Sequence, residues 1–444
     1  MLLGDEMQQL TQTTAREKWL IFSYFSNVDG MACAQHLDDR LPWLRRLGVV
    51  PILVSGVCGE RWPDQIHCRV PSIAPSGIRF ECRHWLRRRV RRPWLRKTAG
   101  LLLTLPCLPF YLLEKLIIDL DSQWSWFFLA ARRGRRLCRE HRPAVIYSTG
   151  GAPSAHLAAA LVSRWAKIPW VAEFQDPLIY PGLRRSRRAI RLYAWLERLV
   201  ARRASRVVFL TDAARRRFAE RTQVANKGCV IYPGADPEKI PRVPYAKGAT
   251  CCFAHFGTLA GSRNLSSFLQ ALGNLLQTRP AWRTQVQVHL YGHLDDAMRD
   301  LIRQFPFPDM IVDHGRVSRQ EALLAMVKSD VLLLVQNAGS VSAETIPSKL
   351  YEYALAFRPI LALIDQNQEL RSILQTQGHF VAEITAVADI QRGISGLVGH
   401  WQKSFAELES GSPFPFDVES GVCQLIEAAR QSESASQLQA FAGR

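Results

Sequence analysis

The sequence predicts an α/β chain of two doubly wound, Rossmann-like domains facing across a cleft, and three observations carry that expectation. Short apolar runs alternate with helix-period segments; a Pro- and Gly-rich stretch interrupts them near the middle; the alternation then resumes. At roughly 150 residues per domain, 444 residues leave room for two or three units with a sizeable core in each. The 48% hydrophobic and 22% charged content excludes a largely disordered or low-complexity chain.

Taken in order, strands are expected at 19–24 (WLIFSY), 49–55 (VVPILVS), 144–148 (AVIYS), 169–173 (PWVAE) and 206–210 (RVVFL). Near-continuous apolar runs of this length suit strands buried on both faces of a parallel sheet. Residues 232–245 (YPGADPEKIPRVPY) read as a hinge. A second series follows at 252–256 (CFAHF), 286–291 (VQVHLY), 311–313 (IVD), 331–335 (VLLLV) and 360–364 (ILALI). The expected boundaries are therefore 1–240 for the first domain and 241–412 for the second. Residues 413–430 read as a closing helix that returns to the first domain, and 431–444 as a flexible tail.

Lys and Arg outnumber Asp and Glu by 57 to 39, a formal charge of +18, so an anionic partner is expected. The charge is uneven. Residues 83–97 read RHWLRRRVRRPWLRK and run into GLLLTLPCLPFYLLEKLIIDL at 100–120. The apolar run 101–113 contains Pro106 and Pro109 and falls short of the roughly 20 apolar residues that span a bilayer. A segment lying on an anionic membrane surface is expected, with arginines facing lipid phosphates and Trp85, Trp94, Phe110 and Tyr111 at the headgroup level. In a second basic stretch, 184–217, Leu192, Trp195, Leu196, Leu199 and Val200 recur at helical spacing, as in an amphipathic helix with an arginine-rich outer face. No nucleic-acid recognition signature accompanies it, so nucleic acid is not an expected partner. The ten cysteines form no Cys-x-x-Cys, and the opening MLLGDEMQQLTQTTAREK lacks the marks of a signal peptide; a cytosolic compartment with unpaired thiols is expected.

The most informative stretch is 340–363, SVSAETIPSKLYEYALAFRPILAL. Pro347 suits the first turn of a helix, which places Lys349, Glu352 and Tyr353 near its start. A helix N-terminus with an added lysine attracts a pyrophosphate, Glu352 could accept hydrogen bonds from a ribose diol, and Glu344 in the preceding loop could grip another hydroxylated ring. Two glutamates at this spacing alone also fit an ordinary surface helix.

Glu344 and Glu352 match the Glu-x7-Glu motif of retaining, family-four-type glycosyltransferases of the GT-B fold, and 346–362 resembles their donor-site helix. HFGTLAGSRNLSSFLQAL (255–272) resembles the opening strand, glycine turn and helix of their donor domain, with Gly257 in the turn and Arg263 as the diphosphate-holding candidate. Thr258 and Asn264 stand where many members carry Arg and Lys. YGHLDD (291–296) and HGRVSRQEALLAMVKSDVLLLV (314–335) resemble later donor-domain elements, the second touching the base near Gly315 and Arg316. In the first half, STGGAPSAHLAAAL (148–161), WVAEFQDPL (170–178) and FSNVDGMACAQHL (25–37, with Gly30) resemble acceptor-side elements. Ser148, Thr149 and Gly150 stand where many relatives place a histidine; His156 follows in the next helix, and Asp176 is the candidate for contacting acceptor or sugar.

The resemblance implies transfer of a sugar from a UDP- or GDP-sugar to a glycan acceptor with retention, no cofactor and no metal. Arg263 and Lys349 would stabilise the departing diphosphate, Glu344 would orient the donor sugar, and Gly257, Arg316, Leu350 and Glu352 would complete the nucleotide contacts. The basic and apolar segment adds a lipid-linked acceptor at the inner face of a bacterial cytoplasmic membrane, in polysaccharide or cell-envelope assembly. The alternatives are a catalytically inactive GT-B-like scaffold and a sugar-nucleotide epimerase.

Overall fold

The computed structural model describes residues 17–28, 31–90, 92–403 and 416–442. Gly30 and the expected boundary between 412 and 413 lie outside the described residues. Among the described residues two all-parallel sheets form, one in each half of the chain. The first consists of β1 (Glu17–Phe22), β2 (Val49–Ser55), β3 (Ile66–Arg69), β4 (Val145–Ser148), β5 (Trp170–Phe174), β6 (Arg206–Phe209) and β7 (Gly228–Val230), in the order β3-β2-β1-β4-β5-β6-β7. The second consists of β8 (Cys251–Phe256), β9 (Val286–Tyr291), β10 (Ile311–Gly315), β11 (Val331–Val335), β12 (Ile360–Ile364) and β13 (Phe380–Glu383), in the order β10-β9-β8-β11-β12-β13. In each sheet the winding reverses at its first strand, between β1 and β4 and between β8 and β11. A doubly wound sheet leaves a crevice at the carboxyl ends of its strands at that reversal.

β3, β7 and β13 have no counterpart among the expected strands. β3 and β7 are the two edges of the first sheet and β13 an edge of the second; each is short and partly solvated, with sequences IHCR, GCV and FVAE. Edge strands bury little, so their composition carries no apolar run. The central strands do the opposite. Trp19, Leu20, Ile21 and Phe22 are all fully buried, and strand alternation sends Leu20 and Phe22 into one layer and Trp19 and Ile21 into the other.

The second layer is completed from the far end of the sequence. In the helix Val418–Ala442, Val418, Val422, Leu425, Ile426 and Ala429 recur at helical spacing and pack against Trp19, Ile21, Leu41 and Leu53. Each buried Val, Leu or Ile there contributes about 1.5–3 kcal/mol. The helix runs past residue 430, where the sequence reading ends it, because Gln, Ala, Glu and Leu sustain a helix as well as apolar residues do. At its entry Asp417 bridges Ala235 of the hinge. Gly234 adopts φ 68°, and a Cβ there would meet the Asp417 backbone at 2.5 Å.

The segment 83–120 runs through three helices, Pro75–Arg89, Pro93–Thr104 and Leu108–Ile117, each with a proline in its first two positions. No helix among the described residues is long and apolar enough to cross a membrane. The helix Arg187–Arg203 corrects one expectation: it buries Ala189, Tyr193, Leu196 and Val200, and leaves Leu192 and Trp195 exposed.

Candidate functional site

The carboxyl ends of the two sheets face each other, and the residues singled out from the sequence fall into two groups there. The first gathers where β8 ends. His255, 4% exposed, hydrogen-bonds the Leu333 carbonyl through Nδ1 at 2.9 Å, which leaves its Nε2 without a partner. A Cβ on Gly257 would lie 3.6 Å from that nitrogen. Burial, with the nearby charges of Arg263 and Lys349, lowers the His255 pKa to about 4, so the ring is neutral at pH 7. The Arg263 Nε is buried without a partner, and desolvation lowers its pKa. Two cations thus converge on a neutral imidazole beside a glycine turn, an arrangement that asks for an anion.

Lys349 opens the helix Lys349–Leu355, two residues after Pro347, so the expected helix start near Pro347 places its charge at the N-terminus. Its Nζ bonds Glu352 at 2.5 Å. Leu350 is buried, with its N–H on the Pro347 carbonyl. Arg316 is exposed after Gly315, whose carbonyl accepts from the Gly292 N–H at 2.7 Å. Tyr291 and His314 stack there at 4.2 Å between centroids. Gly292 is obligatory, since a Cβ would lie 1.9 Å from the Gly257 carbonyl.

The second group surrounds Glu344. Its loop is pinned by two buried amides: Gln336 and Asn367 each donate to the carbonyls of Ser342 and Thr345, at 2.8 and 2.9 Å in both cases. The sequence reading left Glu344 free to grip a sugar. Its side chain is instead buried, with Arg217 of the first half at 2.6 Å and its Oε2 unpaired. Burial raises its pKa against the pull of Arg217. Glu344 and Asp176 line one small cavity with Glu197 and Arg221, and Asp176, open to the cleft yet surrounded by protein, is raised by desolvation. His156 packs: Nδ1 bonds the Ser148 hydroxyl at 2.8 Å, its ring lies against Phe174, and burial lowers it to about 4.

Four residues that the sequence did not single out tie the halves together. Arg319 bonds Glu352 at 3.0 Å and grips Asp39 of the first half at 2.9 and 2.7 Å; Lys239 of the hinge adds a bond to Asp39 at 2.5 Å. Arg217 is the fourth. Beneath them Arg40, fully buried, pairs with Glu173, which also accepts from Tyr147 at 2.9 Å and Thr149 at 2.7 Å. Burial alone would raise Glu173, but Arg40 and these bonds hold it below the usual range.

Comparison with known proteins agrees with this frame. Residues 33–234 match the glycosyl transferase 4-like domain. No curated protein sequence matches. Among solved structures, Anabaena HepE in complex with UDP and glucose is similar at 15% identity and a TM-score of 0.60, over 94% of this chain and 100% of that one. The α,α-trehalose 6-phosphate synthase of Burkholderia multivorans is similar at 13% identity and a TM-score of 0.64, over 97% and 100%. The lipopolysaccharide outer core galactosyltransferase WaaB, in its apo form, is similar at 11% identity and a TM-score of 0.58, over 93% and 99%. The fold is that of the GT-B glycosyltransferases. The glycosyl transferase 4-like domain covers Asp39, Asp176 and Arg217, while His255, Arg263, Glu344 and Glu352 lie beyond it in the second half.

Proposed function

We propose that the chain is a retaining glycosyltransferase that moves a sugar from a UDP- or GDP-sugar to a lipid-linked glycan acceptor. The observation that carries this is the meeting of Arg263 and Lys349 at the glycine turn after β8, beside the unpartnered Nε2 of His255. A nucleoside diphosphate supplies a partner for the unpaired Nε of Arg263 and a second one for Lys349, which already holds Glu352, and HepE, with the same fold, is described with UDP and with UDP-glucose.

In this reading the diphosphate rests on Arg263 and Lys349 and the ribose on Glu352. As the bond to the anomeric carbon breaks, charge builds on the phosphate that these two cations already face, so little reorganisation is needed. No divalent ion is required for the step. Glu344, whose loop is fixed by Gln336 and Asn367, orients the sugar, and Asp176 of the first half meets the incoming hydroxyl. The leaving phosphate takes the acceptor proton on the same face. Closure about the hinge excludes water, which otherwise competes as acceptor.

The acceptor-side helices support membrane attachment. Leu102, Leu116 and Phe110 are 70%, 71% and 65% exposed, and Arg87, Arg88, Arg89 and Arg92 stand exposed beside them. Apolar side chains next to arginines suit the inner face of an anionic cytoplasmic membrane, in bacterial envelope or polysaccharide assembly. The test is nuclear magnetic resonance of the protein with UDP- and GDP-sugars and lipid-linked glycan acceptors in chelator: release of one nucleotide with an axial anomeric product signal from an axial donor supports the reading. An inverted product contradicts retention, and no release contradicts transfer.

A further inference from the structure

Beyond Asp176, on the side away from Glu344, lies a cavity of about 210 Å³, lined in part by Asp121, Gly150, Gln175, Tyr180, Arg185 and Tyr193. Two of its buried oxygens have no hydrogen-bond donor: Oε1 of Gln175, a side chain 8% exposed, and Oδ2 of Asp121. The Gln175 orientation is fixed, because its Nε2 donates to the Cys33 carbonyl at 3.3 Å, an atom that can only accept, and to the Thr149 hydroxyl at 3.1 Å. Both orphans are acceptors, so the missing partner is a donor. A phosphodiester carries no proton at neutral pH and its charge repels a carboxylate, whereas a sugar hydroxyl donates without adding charge. Burial, only partly offset by a main-chain hydrogen bond, Arg185 and Lys115, raises Asp121 to about 6.

An exposed apolar helix lies close to the cavity. Asp121 follows the exposed apolar helix Leu108–Ile117 by a few residues, and Lys115 bonds the Leu120 carbonyl at 2.7 Å. Arg188 bonds the Leu116 carbonyl at 2.9 Å from the helix that carries Tyr193. Exposed Leu192 and Trp195 follow Arg188 at the next two turns of that helix, extending the apolar surface.

Resting on the glycosyltransferase reading, we propose that this cavity is the acceptor subsite and takes a neutral sugar head whose apolar tail lies along Leu108–Ile117, with Gln175 and Asp121 each accepting from a sugar hydroxyl. Phosphates of a lipid anchor stay outside, among the exposed Arg184, Arg187 and Arg188.

The test is saturation-transfer nuclear magnetic resonance on the full chain with octyl and methyl β-glycosides of glucose, galactose, mannose and N-acetylglucosamine, alongside UDP and GDP binding on the same samples. At least one octyl glycoside should bind through its ring protons, roughly tenfold or more tighter than its methyl counterpart. Asp121→Ala should weaken it roughly tenfold or more, and Gln175→Ala serves if the first variant does not fold. Inorganic pyrophosphate should not displace it. Nucleotide binding with no glycoside bound, glycoside binding that neither substitution changes, or displacement by pyrophosphate overturns this subsite alone. Absence of both nucleotide and glycoside binding overturns the parent reading with it.

Discussion

Arg319 and Asp39, 280 residues apart in sequence, form a two-bond ion pair that fastens the second half of the chain to the first. The same guanidinium holds Glu352 through Nε, so the residue proposed to take the ribose is joined to the interface between the halves. In the proposed function, the ribose contact and the interface between the halves therefore share one side chain.

Asp39→Asn tests that linkage. Burial alone would raise the Asp39 carboxyl, but Arg319 and Lys239 outweigh it and hold it below the usual range. A depressed carboxylate contributes stability above its unfolded value near 4 and loses it as pH falls through the folded value. Asp39→Asn should therefore cost about 1–3 kcal/mol at pH 7 and progressively less below about pH 4, read from denaturant unfolding at each pH. An equal cost at both ends of that range would contradict the ion pair. Donor affinity should fall as well, because Arg319 loses its anchor.

Arg217 should behave differently. It approaches Glu344 from the first half, while the Glu344 main chain is held independently by Thr211, whose hydroxyl donates to its carbonyl at 2.8 Å. Arg217→Ala leaves a buried carboxylate without its cation, so turnover should fall roughly 10- to 100-fold with nucleotide affinity little changed. Steady-state kinetics paired with nucleotide titration gives both numbers. A matching loss of nucleotide affinity would place Glu344 on the nucleotide rather than the sugar.

The helices at the acceptor side make a separate prediction. A variant with Arg87, Arg88, Arg89, Arg91 and Arg92 changed to Ser should leave anionic liposomes in a flotation assay and still bind nucleotide. Loss of roughly 1 kcal/mol per arginine near the surface is enough to release a peripheral protein. Unchanged flotation would contradict the electrostatic part of the attachment.

How much of this was legible in the sequence follows from burial. β1, β11 and β12 are buried on both faces, so each writes itself as an unbroken apolar run, whereas β3, β7 and β13 pair on one side only and read as loop. Arg263, Lys349 and Glu352 were reached through a local motif. Asp39, Arg217 and Arg319 were not, because a charge that pairs across an interface leaves no periodicity and no fixed spacing around it. His255 lies within a stretch read as strand and turn, and only the hydrogen bond that occupies its Nδ1 shows that Nε2 faces the site. Leu192 and Trp195 differ for the opposite reason: apolar spacing marks a face, and an exposed apolar face is spaced like one turned to a core.

In the proposed function the second half of the chain holds a nucleoside diphosphate. The most direct measurement is calorimetric titration of UDP and GDP, in chelator, into the chain and into Glu352→Ala. The account predicts that one nucleotide binds and that the substitution removes or weakens binding roughly tenfold or more, since it takes away both ribose acceptors and the partner of Lys349. No binding of either nucleotide by folded protein, or equal binding by the variant, would contradict it.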